Sequence, residues 1–167
     1  MSLYEELVYL GFSPVSDFRL GDLGIGAGPF IAEWHSAQPE PTAAQLDGAA
    51  LAVAQSAQIA ALRTACANAI TGGFSSSALG SAYSYPSDPI SQANMNTIAG
   101  SPSGGSLWCE SGGVWSLKPH TQAQAQAVLA SFVSWLNACQ SQLVTLTGEV
   151  QGATTVSAVQ LITWTNP

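Results

Sequence analysis

The chain has 167 residues, 47% of them hydrophobic and only 8% charged, with 3 basic against 10 acidic side chains and a net charge of −7. Soluble domains carry roughly 25% charged residues. Three cations, Arg19, Arg63 and Lys118, cannot neutralise a nucleic-acid backbone or hold an anionic membrane surface, and a chain this apolar and this poor in charge is not a disordered one.

In chain order, the first residues, Met1-Ser-Leu-Tyr-Glu-Glu, are acidic where a secretory signal begins basic, so none is expected. Nor does any segment reach the roughly 18 apolar residues of a membrane-spanning helix. Seven acidic residues precede position 50: Glu5, Glu6, Asp17, Asp22, Glu33, Glu40 and Asp47. The body that follows is nearly neutral. This shift divides the chain into a β-rich N-terminal docking arm, residues 1–41, and a helical domain with a hairpin insertion, residues 42–167. The arm reads as irregular with short strands. Gly21, Gly24, Gly26 and Gly28 supply turns, and residues 18–20 and 30–34 alternate apolar and polar as a hairpin does. Its apolar residues Phe18, Leu20, Phe30, Ile31 and Trp34 are the expected protein interface. A phosphate cradle is rejected, because no lysine follows the glycines and Pro29 lacks an N–H.

Thr42 with Gln45 predicts a capping box opening a long helix over residues 42–72, with Gly72-Gly73 ending it. Residues 79–80 and 83–85 read as turn then strand. Asp88-Pro89 predicts the cap and first position of a short helix to residue 99, with Ile90, Met95 and Ile98 toward the core. Residues 107–110 and 114–117 flank Ser111-Gly112-Gly113 as a β-hairpin. His120-Thr121 is the expected cap of a last long helix over residues 121–151. There Leu129, Phe132, Leu136, Cys139, Leu143, Leu146 and Val150 are spaced three and four apart, the seam of a helical hairpin or coiled coil. The 59–70 face of the same chain is the expected partner, and parallel self-association is the alternative. Residues 154–155 start one more helical turn, and 161–164 are expected to close the chain against the core. The fold class is therefore mainly α (α+β): a long helical pair with a small β-hairpin and a β-rich arm.

Residues with catalytic precedent are few. Ser111-Gly112-Gly113 echoes a serine-protease nucleophile but fits a hairpin turn better, and a triad needs a base oriented by a carboxylate. A Cys109–His120 dyad would need a cation to hold a thiolate; a buried cysteine and a capping histidine account for the pair. Asp17, Asp22 and Glu33 fit an acidic turn better than glycoside chemistry. Three cysteines, Cys66, Cys109 and Cys139, make no disulfide framework, which points to synthesis in a reducing cytoplasm. No metal ligands, cofactor site or enzymatic activity are expected. Trp108 and Trp115 flank the hairpin turn and, with Tyr85, form a possible ligand-contact set.

The ordered blocks Leu62–Ile70, Gly72-Gly-Phe74, Ala78-Leu-Gly80, Tyr83-Ser-Tyr85, Asp88-Pro-Ile-Ser-Gln-Ala-Asn94, the Trp hairpin, His120-Thr121, Ala153-Thr-Thr-Val156 and Ile162-Thr-Trp164 resemble a family of unassigned function. That family recurs in tailed phages and prophages, at the C-terminal end of tail-fibre and tail-associated proteins. The N-terminal blocks Ile31-Ala-Glu-Trp34, Pro39-Glu-Pro41-Thr42 and Gln45-Leu46 are similar to segments of short phage tail proteins. The resemblance implies a structural component of a phage or prophage-derived tail, fibre- or baseplate-associated and made in the host bacterial cytoplasm. It would act by assembly with other tail or fibre proteins and as a homo-oligomer, a trimer for instance, without nucleic-acid binding or membrane insertion. A fibre-assembly chaperone absent from the particle and a carbohydrate-binding receptor tip are the alternatives.

Overall fold

The computed structural model describes residues 2–24, 26 and 28–167. It is an α+β fold with more helix than strand. The chain forms two compact units, one of Met1–Ala61 with Thr147–Thr163 and one of Leu62–Leu146 with Trp164–Pro167. Two of the breaks, after Ala61 and before Thr147, fall inside the long helices Ala43–Thr71 and Gln122–Gly152.

The first unit begins with helix α1, Leu3–Tyr9. The sequence reading treats this stretch as irregular, and the structure corrects it. Ser2 and Glu5 form a reciprocal capping box, in which the Ser2 hydroxyl accepts from the Glu5 N–H and the Glu5 carboxylate accepts from the Ser2 N–H at 2.9 Å. Leu7 is fully buried. Strands β1, Phe18–Asp22, and β2, Pro29–Trp34, then pair antiparallel as expected. The register runs Phe18 to Trp34 and Arg19 to Glu33, then Leu20 to Ile31 and Gly21 to Phe30. Ala32 is thus the extra residue of a bulge.

Helix α2, Ala43–Thr71, opens on the predicted box, with Gln45 Oε1 accepting from the Thr42 N–H at 2.8 Å and Thr42 Oγ1 accepting from the Gln45 N–H. Residues 43–61 of α2 belong to the first unit. There Gln55 Nε2 donates to the carbonyls of Val150 and Ala153, each at 3.1 Å. Those acceptors lie at the end of helix α4, Gln122–Gly152, and just past it. Helix α5, Val156–Leu161, is capped by Thr155. Leu7, Phe18, Ala49, Ala54, Val150 and Val159 are the buried apolar residues of this unit. The expected closure over 161–164 forms in part: Ile162 and Trp164 are half-buried. Leu161 is 81% exposed, and residues 162–167 are not strand.

In the second unit the expected hairpin is part of a four-stranded antiparallel sheet of order β3-β4-β5-β6. Its strands are β3 Phe74–Ser76, β4 Tyr83–Tyr85, β5 Gly105–Ser111 and β6 Val114–His120. Helix α3, Pro89–Gly100, is capped by the Asp88 carboxylate, which accepts from the Ile90 and Ser91 N–H groups. Met95 is buried in the core, but Ile90 is 74% exposed, contrary to the helical-spacing reading. The core of this unit joins Phe74, Tyr85, Met95, Leu107, Cys109, Val128 and Phe132. Along α4 the 3-4 seam is inward: Phe132, Cys139 and Leu146 are buried, and Leu129, Leu136 and Leu143 are half-buried. Its partner here is α2 of the same chain. Trp135 Nε1 donates to the Ala69 carbonyl at 3.1 Å, and the Cys66 thiol to the Cys139 carbonyl.

Candidate interaction surfaces

In the first unit the structure separates the five predicted interface residues. Phe18 is 2% exposed, with the Tyr4 ring edge-on to it at 6.4 Å, so it is core and unavailable to a partner. Trp34 is half-buried: Phe12 meets it edge-on at 4.7 Å, and its indole N–H donates to the Gln38 carbonyl. Leu20 and Ile31, cross-strand partners, are half-buried. Phe30 is exposed. Its ring lies over Gly21, where an added Cβ would come within 2.8 Å of it. The sequence reading missed a contribution from α1. Tyr4 and Val8, four residues apart on one helix face, are exposed with Tyr9, as are Val15 and Leu23.

The second unit carries its own apolar surface on the sheet. Strand alternation sends Leu107, Cys109 and His120 inward and Trp108, Trp115 and Leu117 outward. The last three are each more than half exposed. Trp108 faces Leu117 across the strands, and Glu110 faces Trp115. Ser84 continues the Glu110 row onto β4, and Ser75 continues it onto β3. The outer face is therefore an aromatic platform bordered by serines and one carboxylate. The Glu110 carboxylate accepts from the Gly113 N–H and braces the turn. That turn places Gly112 and Gly113 at φ +61° and +81°, values that favour glycine, so Ser111-Gly112-Gly113 is a hairpin turn.

Tyr85 stands apart from the two tryptophans. It is 1% exposed and points into the core, which removes it from the exposed ligand-contact set. Tyr85 and Trp108 both line a cavity of about 40 Å³ between β4, α3 and β5, little more than the volume of one water. The Tyr85 hydroxyl lies 2.9 Å from His120 Nε2, and His120 Nδ1 lies 2.9 Å from the Lys118 carbonyl. A carbonyl only accepts, so Nδ1 carries the proton and Nε2 accepts from Tyr85. Burial, with the neighbouring Cys109 and Tyr83, pushes the Tyr85 hydroxyl up to about 12. His120 is therefore the buried end of β6, not the cap of α4. Thr121 is that cap, paired reciprocally with Gln124.

The other chemical candidates are held in local contacts. Cys109 is fully buried, and burial pushes its thiol up, away from a reactive thiolate. The Asp17 carboxylate accepts from the Ser13 N–H and that of Asp22 from the Gly24 N–H, each at 2.8 Å. Glu33 lies 3.6 Å from Arg19 and 3.0 Å from His35 Nε2. Among the described residues, no cluster of three His, Cys, Asp or Glu side chains is arranged to hold a metal ion. No helix among them is long and apolar enough to cross a membrane.

Residues 5–58 match the XkdW protein family, a phage-related family. The match covers α1 from Glu5 onward, the β1–β2 hairpin and the first half of α2, and supports a phage domain in this part of a phage-associated protein. It spans the Ile31–Trp34, Pro39–Thr42 and Gln45-Leu46 blocks. No curated protein and no solved structure matches the chain.

Proposed function

We propose that the chain is a non-enzymatic structural component of a bacteriophage or prophage-derived tail, fibre- or baseplate-associated, that works by protein–protein assembly within the virion. The phage-related match over residues 5–58 carries the reading. Two further features support it. The matched segment presents Val8, Tyr9, Val15, Leu23 and Phe30 to solvent, an apolar set of the kind that marks an interaction surface. And with 8% charged residues, the surface loses few solvated ions when packed permanently against neighbours, a desolvation that costs several kcal/mol per ion when it occurs. In this reading the first unit docks to another tail protein, and the assembly is a homo-oligomer.

Mass spectrometry of purified particles, with copy number measured against the tail-tube protein, tests the proposal. A stoichiometric, symmetric copy number is expected. Absence from particles, with the chain abundant in the lysate and bound to fibre protein, would overturn the subunit reading in favour of an assembly chaperone.

A further inference from the structure

We infer that the outer face of the β5–β6 hairpin binds a neutral oligosaccharide, with Trp108 and Trp115 as the stacking platform and Ser84, Ser106 and Glu110 as hydrogen-bonding groups at its border. This does not rest on where the chain sits in a particle.

Three observations select that occupant. The first is area. Aromatic side chains carry 150–250 Å² each, so the half-exposed Trp108 and Trp115 with Leu117 offer roughly 300 Å² of apolar surface. A stable protein interface takes about 800 Å² from each partner, of which somewhat over half, about 450 Å², is apolar; the patch here is smaller than that, and a few sugar rings fit it. The second is charge. The outward residues of the four strands are Ser75, Ser84, Ser106, Trp108, Glu110, Trp115, Leu117 and Pro119, with no cation among them in this unit. Lys118 is the nearest, and it is on the inward alternation, over the Tyr83 ring at 5.4 Å. A phosphate, sulfate or uronate would find no counter-charge. The third is placement. Trp108 and Trp115 are diagonal neighbours on adjacent strands, about 7–8 Å apart at the backbone, so both indoles bear on one extended chain of rings. Hydroxyls stand on two sides: Ser106 precedes Trp108 on the same face, and Ser84 adjoins Glu110. Sugars need this combination, apolar C–H faces against indoles with O–H groups directed to a polar rim.

The full chain is applied to an array of neutral and anionic glycans, and positives are titrated by calorimetry. Binding to neutral glycans is expected, with anionic ones silent. Trp108→Ala and Trp115→Ala should each weaken it roughly tenfold, and Trp108→Phe should restore most of the loss. Both tryptophans are about half exposed, so the variants are compared at a temperature below their own melting transitions, where circular dichroism confirms that they fold. Failure of the wild-type chain to bind any neutral glycan at concentrations up to about 10 mM, a Kd worth under about 3 kcal/mol, would overturn the proposal. So would binding unaffected by both alanine variants. Loss of self-association in Trp115→Ala, seen by sedimentation, would reassign the face to a contact between copies.

Discussion

The Tyr85 hydroxyl donates to Nε2 of His120 across the inner face of the sheet, at 2.9 Å, with both residues buried. The acceptor is fixed because the other ring nitrogen is held by the Lys118 carbonyl. Tyr85→Phe keeps the ring, which stacks on Phe74 at 5.8 Å, and removes only the donor. An unsatisfied buried acceptor costs about 1–3 kcal/mol. Urea unfolding should show a loss of that size with an unchanged m-value.

Gly104 sits at φ +70°, and a Cβ placed there would lie 2.1 Å from the His120 carbonyl oxygen. Neither the strand end nor the Thr121 cap can retreat without breaking pairing. Gly104→Ala should destabilise by more than about 2 kcal/mol, strain and clash together. Gly80→Ala is the control, since Gly80 is also at positive φ but opens to space. The difference between the two midpoints reads the backbone clash alone.

Acid should weaken α3. The Asp88 carboxylate accepts from the Ser91 hydroxyl and N–H and from the Ile90 N–H, and these bonds hold its pKa below the usual carboxylate range. A folded pKa below the unfolded one gives a contribution present above the unfolded value and lost as pH falls through the lowered folded value. Glu5, held low by Ser2, has the same sign. Glu6 is opposite: burial raises it, so its contribution is present at low pH and lost as pH rises through the raised value. Urea midpoints from pH 7 downward should fall less steeply for Asp88→Asn than for the wild type.

The three cysteines should be silent in the folded chain. Cys66, Cys109 and Cys139 are reduced and buried, and burial raises each thiol. A thiol reagent at neutral pH should count none in native protein and three after denaturation. The rate of appearance follows opening of the second unit, which holds all three. Fast labelling of any one under native conditions would contradict its assigned burial.

The legible parts of the fold were those whose cause is local. Thr42 with Gln45, Asp88 before Pro89, Gly112-Gly113 between alternating strands, and the three-four spacing from Leu129 to Val150 each specify an element from neighbours along the chain. The capping box of Ser2 and Glu5 was equally local, but the dense glycines of the arm drew the reading toward strand. Ile90 fell on a helical apolar spacing and is exposed, because which face of α3 turns inward depends on a sheet not yet placed. β3 was missed for the same reason: Phe74–Ser76 is too short to announce itself and exists because Tyr83–Tyr85 pairs with it. Of the candidate sites, Trp108 and Trp115 followed from alternation, whereas the burial of Tyr85 and Phe18 arises from contacts distant in sequence. Tyr85 is closed in by His120, 35 positions away.

The alternation of β5 and β6 sorts two tasks onto two sets of residues. Leu107, Cys109 and His120 hold the core from one face, and Ser106, Trp108, Trp115 and Leu117 stand on the other. Apart from Trp108, which also lines the small cavity beside Tyr85, substitutions in the outward set leave the inward packing untouched, and surface changes of that kind shift stability by only about 0.5 kcal/mol. The hairpin can therefore accumulate sequence drift on one side at nearly constant foldedness. A lineage carrying this chain can vary the groups that this face presents one residue at a time, with every intermediate still a folded protein.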